Sequence, residues 1–327
     1  MKRNMNVKNI VIVLTTAALF TAGTSGYFPA QKTALPTAAD QPRKLTVTFF
    51  EMPKHGIAIA VQSPAGHIYL VDTGIAKDGH DTGRDIIAPF LRARKVAQID
   101  GIVHTHPHED HYGGTFYLLE HFKVKRVIDS GYERGVHQVA FLRDLPSSSD
   151  YPKLLKLVTA RGVEHQVVSA GDKLKWDDAL EVEVLSPPKG FMKQPKGVEY
   201  EINDNSVVLQ VRHGRNVFLF TGDIGDLGQD YLLKTIGAGK LKSGVLAVPH
   251  HGFDSYERFA AVVKPVVVVA SCLKDYPRDS IHSPGQRVKD VYGTVGSQVY
   301  VTAWHGSVQV TSDGKSYTVK TDRTPPL

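Results

Sequence analysis

HTHPHEDHYGG, residues 104–114, sets four histidines, an aspartate and a glutamate in one short stretch that ends on a glycine pair. The residues just before it, IDGIVHT (99–105), are apolar and branched, as in a buried strand. GGTFYLLEHF (113–122) then has the spacing of a helix. The loop therefore sits at a strand's carboxyl end, where α/β proteins deliver side chains to ligands. Residues two apart in extended backbone face the same way, so His106 and His108 can converge on one ion. Asp110 and His111 lie just beyond and can turn toward a second. Imidazole nitrogen and carboxylate oxygen suit zinc, and also manganese or iron.

Outward from the loop, strands and helices alternate. LTVTFFE (45–51), IAIAVQ (57–62) and HIYLVD (67–72) read as strands, with the turn SPAG between the last two. A helix at 85–95, the strand at 99–105, a helix at 113–122 and a strand at 124–129 follow. After a helical stretch at 153–162, strands are expected at 164–169, 180–185, 206–212 and 216–221. GVLAVPH, a helix near 256–263, PVVVVAS, a helix near 285–291 and the terminal strands SQVYVTA and GSVQV complete a second alternation. Two similar halves of this kind predict α/β layers arranged as a pseudo-symmetric sandwich.

The 327 residues are 42% hydrophobic, enough for a sizeable core. The amino terminus is separate: Lys2, Arg3 and Lys8 flank the uncharged run IVIVLTTAALFTAG, which is the layout of a signal peptide over 1–26 or of an N-terminal anchor. Residues 27–43 read as a linker, and 44–327 as a single domain. The expected location is secreted or periplasmic, on the extracellular face. Cys272 is the only cysteine, so no intramolecular disulfide is available, and its apolar neighbours predict an inert buried thiol. The formal charge is +6, but without Lys2, Arg3 and Lys8 only about +3 remains, a weak argument for nucleic acid.

The arrangement H-x-H-x-D-H at His106, His108, Asp110 and His111 resembles the metallo-β-lactamase superfamily. VDTG with Asp72, FTGD with Asp223 and PHHG with His250 are similar to that family's other motifs, in the same order. The run VTFFE, VDTG, THPHEDHYGG, LSPP, NDNSVVL, FLFTGDIG, VPHHG and HSP further resembles the extracellular hydrolase domain of ComEC-type competence DNA-uptake proteins. The resemblance implies an αββα sandwich, mixed sheets with helices on the outer faces. It also implies two divalent metal ions, zinc foremost. His106 and His108 would hold one, Asp110, His111 and His250 the other, and Asp223 would bridge them. Asp72 would keep a ligand histidine in one tautomer. His251 and His282 would face substrate and hydrogen-bond an anionic oxygen or protonate a leaving group.

The chain departs from the family pattern twice. The region of the family's third histidine reads EVEVLSPPKG and EINDNSVVL, without histidine, which predicts a weaker first site. The turn after the first strand reads EMPKHGIAI in place of a G-Q-G-D-like sequence, with His55 as a polar residue there.

The implied enzyme is a metal-dependent hydrolase, since bound metal lowers the pKa of water toward ~7. Asp110 and Asp223 are the expected catalytic carboxylates. A phosphodiester is the favoured substrate: an anionic small molecule or polymer such as DNA, met in part by the lysines of KGFMKQPKG (189–197). A lactone, β-lactam or other ester or amide is the alternative, and a non-enzymatic nucleic-acid binder is the alternative of another class. No stable protein partner is implied. No channel helices accompany the hydrolase-like motifs, so the expectation is a stand-alone soluble enzyme.

Overall fold

In the first strand, β1 (Leu45–Phe49), Leu45, Val47 and Phe49 all point to one side, because side chains alternate along extended backbone, and all three are buried there. The computed structural model describes residues 44–132, 147–273 and 283–324. The sequence-based leader at 1–26 and linker at 27–43 lie outside them.

Among the described residues, eight strands form the first sheet. Numbered along the chain, their spatial order is Glu164–Val167 (β6), Arg126–Asp129 (β5), Gly101–Val103 (β4), Ile68–Thr73 (β3), Ala58–Gln62 (β2), β1, Val308–Ser312 (β14) and Tyr317–Thr321 (β15). The second sheet has seven: Lys173–Leu174 (β7), Leu180–Ser186 (β8), Val208–His213 (β9), Asn216–Phe220 (β10), Val245–Ala247 (β11), Val267–Ala270 (β12) and Gln298–Val301 (β13). Both sheets are mixed. β3 to β6 pair in parallel in the first, and β10 to β13 in the second.

Three cores fix the layers. Between the sheets, Val47, Phe49 and Val71 meet Leu209, Phe218 and Phe220, with the Phe49 and Phe220 rings 6.4 Å apart. Outside the first sheet, Leu91 of α1 (Ala88–Ala93), Leu118 of α3 (Thr115–His121) and Leu154 of α4 (Tyr151–Ala160) cover Ala60, Leu70 and Ile102. Outside the second, Leu232 of α6 (Asp226–Thr235), Phe259 of α8 (Glu257–Val263) and Val288 of α9 (Pro284–Gly293) cover Leu219, Leu246 and Val268. The result is the expected αββα sandwich.

Several local elements differ from expectation. The loop after β4 winds into a helical turn, α2 (Glu109–Tyr112), before α3. A π-helical turn at Gly83–Ile87 precedes α1. Helix α5 (Val198–Asp204), α6 and the terminal strand β15 are additions, and the expected end of SQVYVTA is a short helix, α10 (Thr302–His305), which follows α7 (Ala238–Leu241) to α9 in the chain.

The glycine pair has a packing cause. A Cβ at Gly114 would lie 2.4 Å from the Thr73 carbonyl oxygen, and one at Gly113 would lie 2.4 Å from the Ala76 nitrogen. Only glycines let the loop press against the end of β3.

His104, which the sequence left without a role, belongs to a buried network. Its Nε2 is 2.8 Å from Thr115 Oγ1 and its Nδ1 3.2 Å from Tyr151 Oη, tying β4 to α3 and α4. Tyr151 Oη in turn donates to Asp129 Oδ2 at 2.7 Å, and His165 Nε2 is 2.7 Å from the same oxygen. Burial alone would raise the Asp129 carboxyl, but His165, Tyr151 and the Gly131 N–H hold it below the usual carboxylate range. A depressed folded-state value stabilises the fold above the unfolded pKa of about 3.9, and the contribution disappears as pH falls through the folded value. Urea unfolding of the metal-stripped chain is therefore expected to weaken below pH ~4, with Asp129→Asn flattening that acid limb. Parallel acid limbs for the two proteins would contradict it.

Candidate metal centre

The ends of β3, β4, β10, β11 and β12 lie along one rim of the sandwich, and the loops leaving them carry the candidate residues. Asp72, the penultimate residue of β3, has left-handed backbone (φ 57°). Its Oδ1 accepts the Thr105 N–H at 2.8 Å, and its Oδ2 accepts Thr105 Oγ1 and His111 Nδ1, each at 2.8 Å. A carboxylate on Nδ1 fixes the His111 tautomer, so the Nε2 lone pair turns inward. There it stands 3.2 Å from Asp223 Oδ2 and 3.6 Å from Asp110 Oδ2.

His106 and His108 do converge: His106 Nε2 is 3.0 Å from His108 Nδ1. The outer nitrogens are occupied elsewhere. His106 Nδ1 is 3.1 Å from Thr105 Oγ1 and 3.3 Å from Ser206 Oγ, and His108 Nε2 is 2.8 Å from Glu199 Oε2. Ser206 thus comes from the very stretch that lacks the third histidine. Among the described residues, His121, His165 and His213 bond instead to the Tyr117 carbonyl, Asp129 and Ser312.

PHHG forms a tight turn in which His250 (φ 48°) and His251 (φ 55°) are both left-handed, a strained pair that aims two adjacent imidazoles at the rim. His251 is buried. Its Nδ1 donates to the Ser271 carbonyl at 3.0 Å, leaving Nε2 3.3 Å from Asp110 Oδ2 and 3.4 Å from Asp223 Oδ2. His250 is less buried; its Nδ1 donates to Asp254 Oδ2 at 2.5 Å, and its Nε2 is 3.9 Å from Asp223 Oδ2. Tyr256 Oη holds the other Asp254 oxygen at 2.7 Å. His282 lies outside the described residues. Cys272 is buried, and burial pushes its thiol up to about 12, so it packs rather than reacts.

Asp223 is the hub, only 2% exposed, with Oδ2 also 4.0 Å from His106 Nε2. Its Oδ1 is buried without a hydrogen-bond partner among the described residues. Such orphaned polar atoms cost stability unless something else satisfies them. Burial alone would raise the Asp223 carboxyl, but His111 and His251 hold it well below the usual range. Conversely, burial would lower His251, yet Asp223 and Asp110 raise it to about 9. His55 is lowered to about 4, first by burial and then by His251.

Two donor clusters emerge, His106, His111 and Asp223 in one, His55, Asp110 and His251 in the other. Donors ~2.1 Å from a tetrahedral ion stand about 3.4 Å apart, close to the separations around Asp110 and Asp223. Hard oxygen and borderline imidazole together fit a divalent cation.

The family described as "Metallo-beta-lactamase superfamily" matches residues 56–255 of this sequence. The chain belongs to that superfamily. Its sandwich is the metallo-β-lactamase fold. Among curated relatives, "ComE operon protein 3" of Bacillus subtilis (strain 168) is 29% identical over 232 residues, 69% of this chain and 26% of that protein. "Competence protein ComA" of Neisseria gonorrhoeae is 28% identical over 218 residues, 66% of this chain and 25% of that one. The chain thus spans about a quarter of the length of these competence proteins. A solved structure, "CmlA beta-hydroxylase E377D mutant", shares the fold at TM-score 0.50 and 14% identity, covering 84% of this chain and 54% of that one. The rim gathers motif residues from distant segments of the chain. Glu199, Asp254 and Ser206 join them without any sequence signal, except that Asp254 stands four residues after His250.

Proposed function

We propose that this chain is an exported phosphodiesterase, with a leader at 1–26, a linker at 27–43 and catalytic residues within 44–327, acting on DNA or another anionic phosphodiester. The observation that carries the reading is one buried carboxylate, Asp223, within 4.0 Å of inward nitrogens of His106, His111, His250 and His251. His106 and His108 would hold one divalent ion, zinc by preference, and Asp110, His111 and His251 the other, with Asp223 shared. This moves the late ligand from His250 to His251, whose Nε2 is nearer both carboxylates. When bound, such a pair lowers the pKa of water and offsets charge on phosphoryl oxygens.

The chain's own groups do the rest. Asp72 fixes the His111 ring, Glu199 borders His108, and Asp110 sets the edge where water is oriented. His250, backed by Asp254, faces the leaving oxygen and contacts or protonates it. Two lysines of KGFMKQPKG are engaged locally, Lys193 with Glu201 and Lys196 with Asp226, so they add less to phosphate binding than the sequence suggested. The likeness to a competence protein is in keeping with a polymeric anionic substrate such as DNA. Among the described residues no helix is long and apolar enough to cross a membrane. No observation favours a non-enzymatic binder.

The test is a panel of DNA, a bis-aryl phosphate, a lactone and a β-lactam offered to the purified protein, with and without chelator. Chelator-sensitive turnover of the phosphodiesters alone is expected. Turnover restricted to the lactone or β-lactam would replace the substrate class, and salt-sensitive DNA binding without turnover would remove the phosphodiesterase reading.

A further inference from the structure

The loop between β1 and β2 brings one more imidazole to the rim. His55 Nε2 lies 3.4 Å from Asp110 Oδ2, and its ring centroid is 4.1 Å from that of His251. Its nitrogen, an Asp110 oxygen and a His251 nitrogen all lie within 4.8 Å of one another. These are separations of donors around one ion rather than of residues that merely pass nearby.

The backbone explains why the ring is held there. The Ile57 N–H donates to the Asp110 carbonyl at 3.1 Å, and the Ile57 carbonyl accepts the Gly74 N–H at 2.8 Å. The loop is thus stitched both to the turn that carries Asp110 and to the segment just after Asp72. Gly56 permits the approach: at φ +142°, a Cβ there would stand 2.6 Å from the Asp110 carbonyl oxygen. The Phe253 ring stands nearby, its centroid 6.5 Å from that of His55.

We propose that His55 is a further protein donor to the ion at the Asp110–His251 end of the centre, so that the β1–β2 loop closes over that ion. The inference rests on the metal-centre reading above. It makes the two ends chemically unequal. One end gathers His55, Asp110 and His251 with Asp223, the other has His106 and His108 with Asp223, and His111, which clusters with His106 and Asp223 and stands 3.6 Å from Asp110, lies between them. The crowded end retains its ion, and the sparse end exchanges it and keeps positions open to water and substrate.

The test uses the full chain stripped of metal and reloaded with Zn²⁺ or Co²⁺, comparing wild type with His55→Ala, His55→Gln and His251→Ala. The readouts are ions retained per chain, affinity in competition with a chelator, and the visible absorption of the Co²⁺ form. Wild type is expected to hold one ion tightly and one weakly. His55→Ala and His55→Gln should weaken the tight ion by at least about 10–100-fold, the scale known for loss of a group supporting a metal ligand, and change the Co²⁺ bands. The weak ion and the melting temperature of the metal-free chain should not change.

Unchanged tight affinity and unchanged Co²⁺ bands in both His55 variants, with the tight ion lost in His251→Ala, would overturn the proposal while leaving the metal centre intact. A higher KM for substrate with those same unchanged metal readouts would overturn it too, making His55 a substrate contact. Retention of both ions by His251→Ala as well would instead bring down the assignment on which the proposal rests.

Discussion

Asp223→Asn is expected to lower metal-dependent turnover by at least about 1,000-fold, roughly 4 kcal/mol of transition-state stabilisation. The carboxylate is almost fully buried, and its Oδ2 is 3.2 Å from His111 Nε2 and 3.4 Å from His251 Nε2. A neutral amide cannot balance two divalent charges in that place. It would also turn an NH₂ group toward nitrogens whose lone pairs are needed for the ions. Elemental analysis should show reduced metal content, while circular dichroism shows the fold retained. Turnover within tenfold of wild type would mean that Asp223 is not the shared ligand.

The second large effect separates two neighbours. His251→Ala should lose the tightly held ion and with it about 1,000-fold or more of activity, since a ligand to that ion is gone. His250→Ala should keep both ions yet reduce kcat about 100-fold, within the range for loss of a positioned acid. Asp254→Asn, which releases the His250 ring, should resemble it. The geometry behind this split is plain: His251 Nδ1 is anchored on the Ser271 carbonyl beneath the rim, whereas His250 Nδ1 rests on Asp254 and its ring is partly exposed. Should His250→Ala be the variant that loses the ion, the ligand assignment reverts to His250.

That reversal shows where sequence reasoning stops. The layers were readable because strand and helix periods recur in the apolar residues, as with Val47 and Phe49 of β1 or Leu118 of α3. The ligand loop was readable because its donors are adjacent in the chain. The proposed preference for His251 over His250 was not, because it rests on side-chain distances set by two left-handed backbone conformations that neither residue type announces. Helix α5 has only Val198 and Ile202 on an apolar face, too short a stripe to read in VEYEIND, and it escaped notice although it brings Glu199 to His108. His55 and Asp110 are 55 residues apart and meet only through folding, so no spacing rule could join them.

The rim where the two sheets end has a mechanical meaning. His111 leaves the first sheet and Asp223 the second, 112 residues further along the chain, and their side chains stand 3.2 Å apart. An ion held by both would act as a cross-link that closes a very long ring, the kind of constraint that removes most freedom from an unfolded chain. The single cysteine offers no covalent equivalent. With such a cross-link, metal supply would govern how long the folded molecule survives proteases as well as how fast it works.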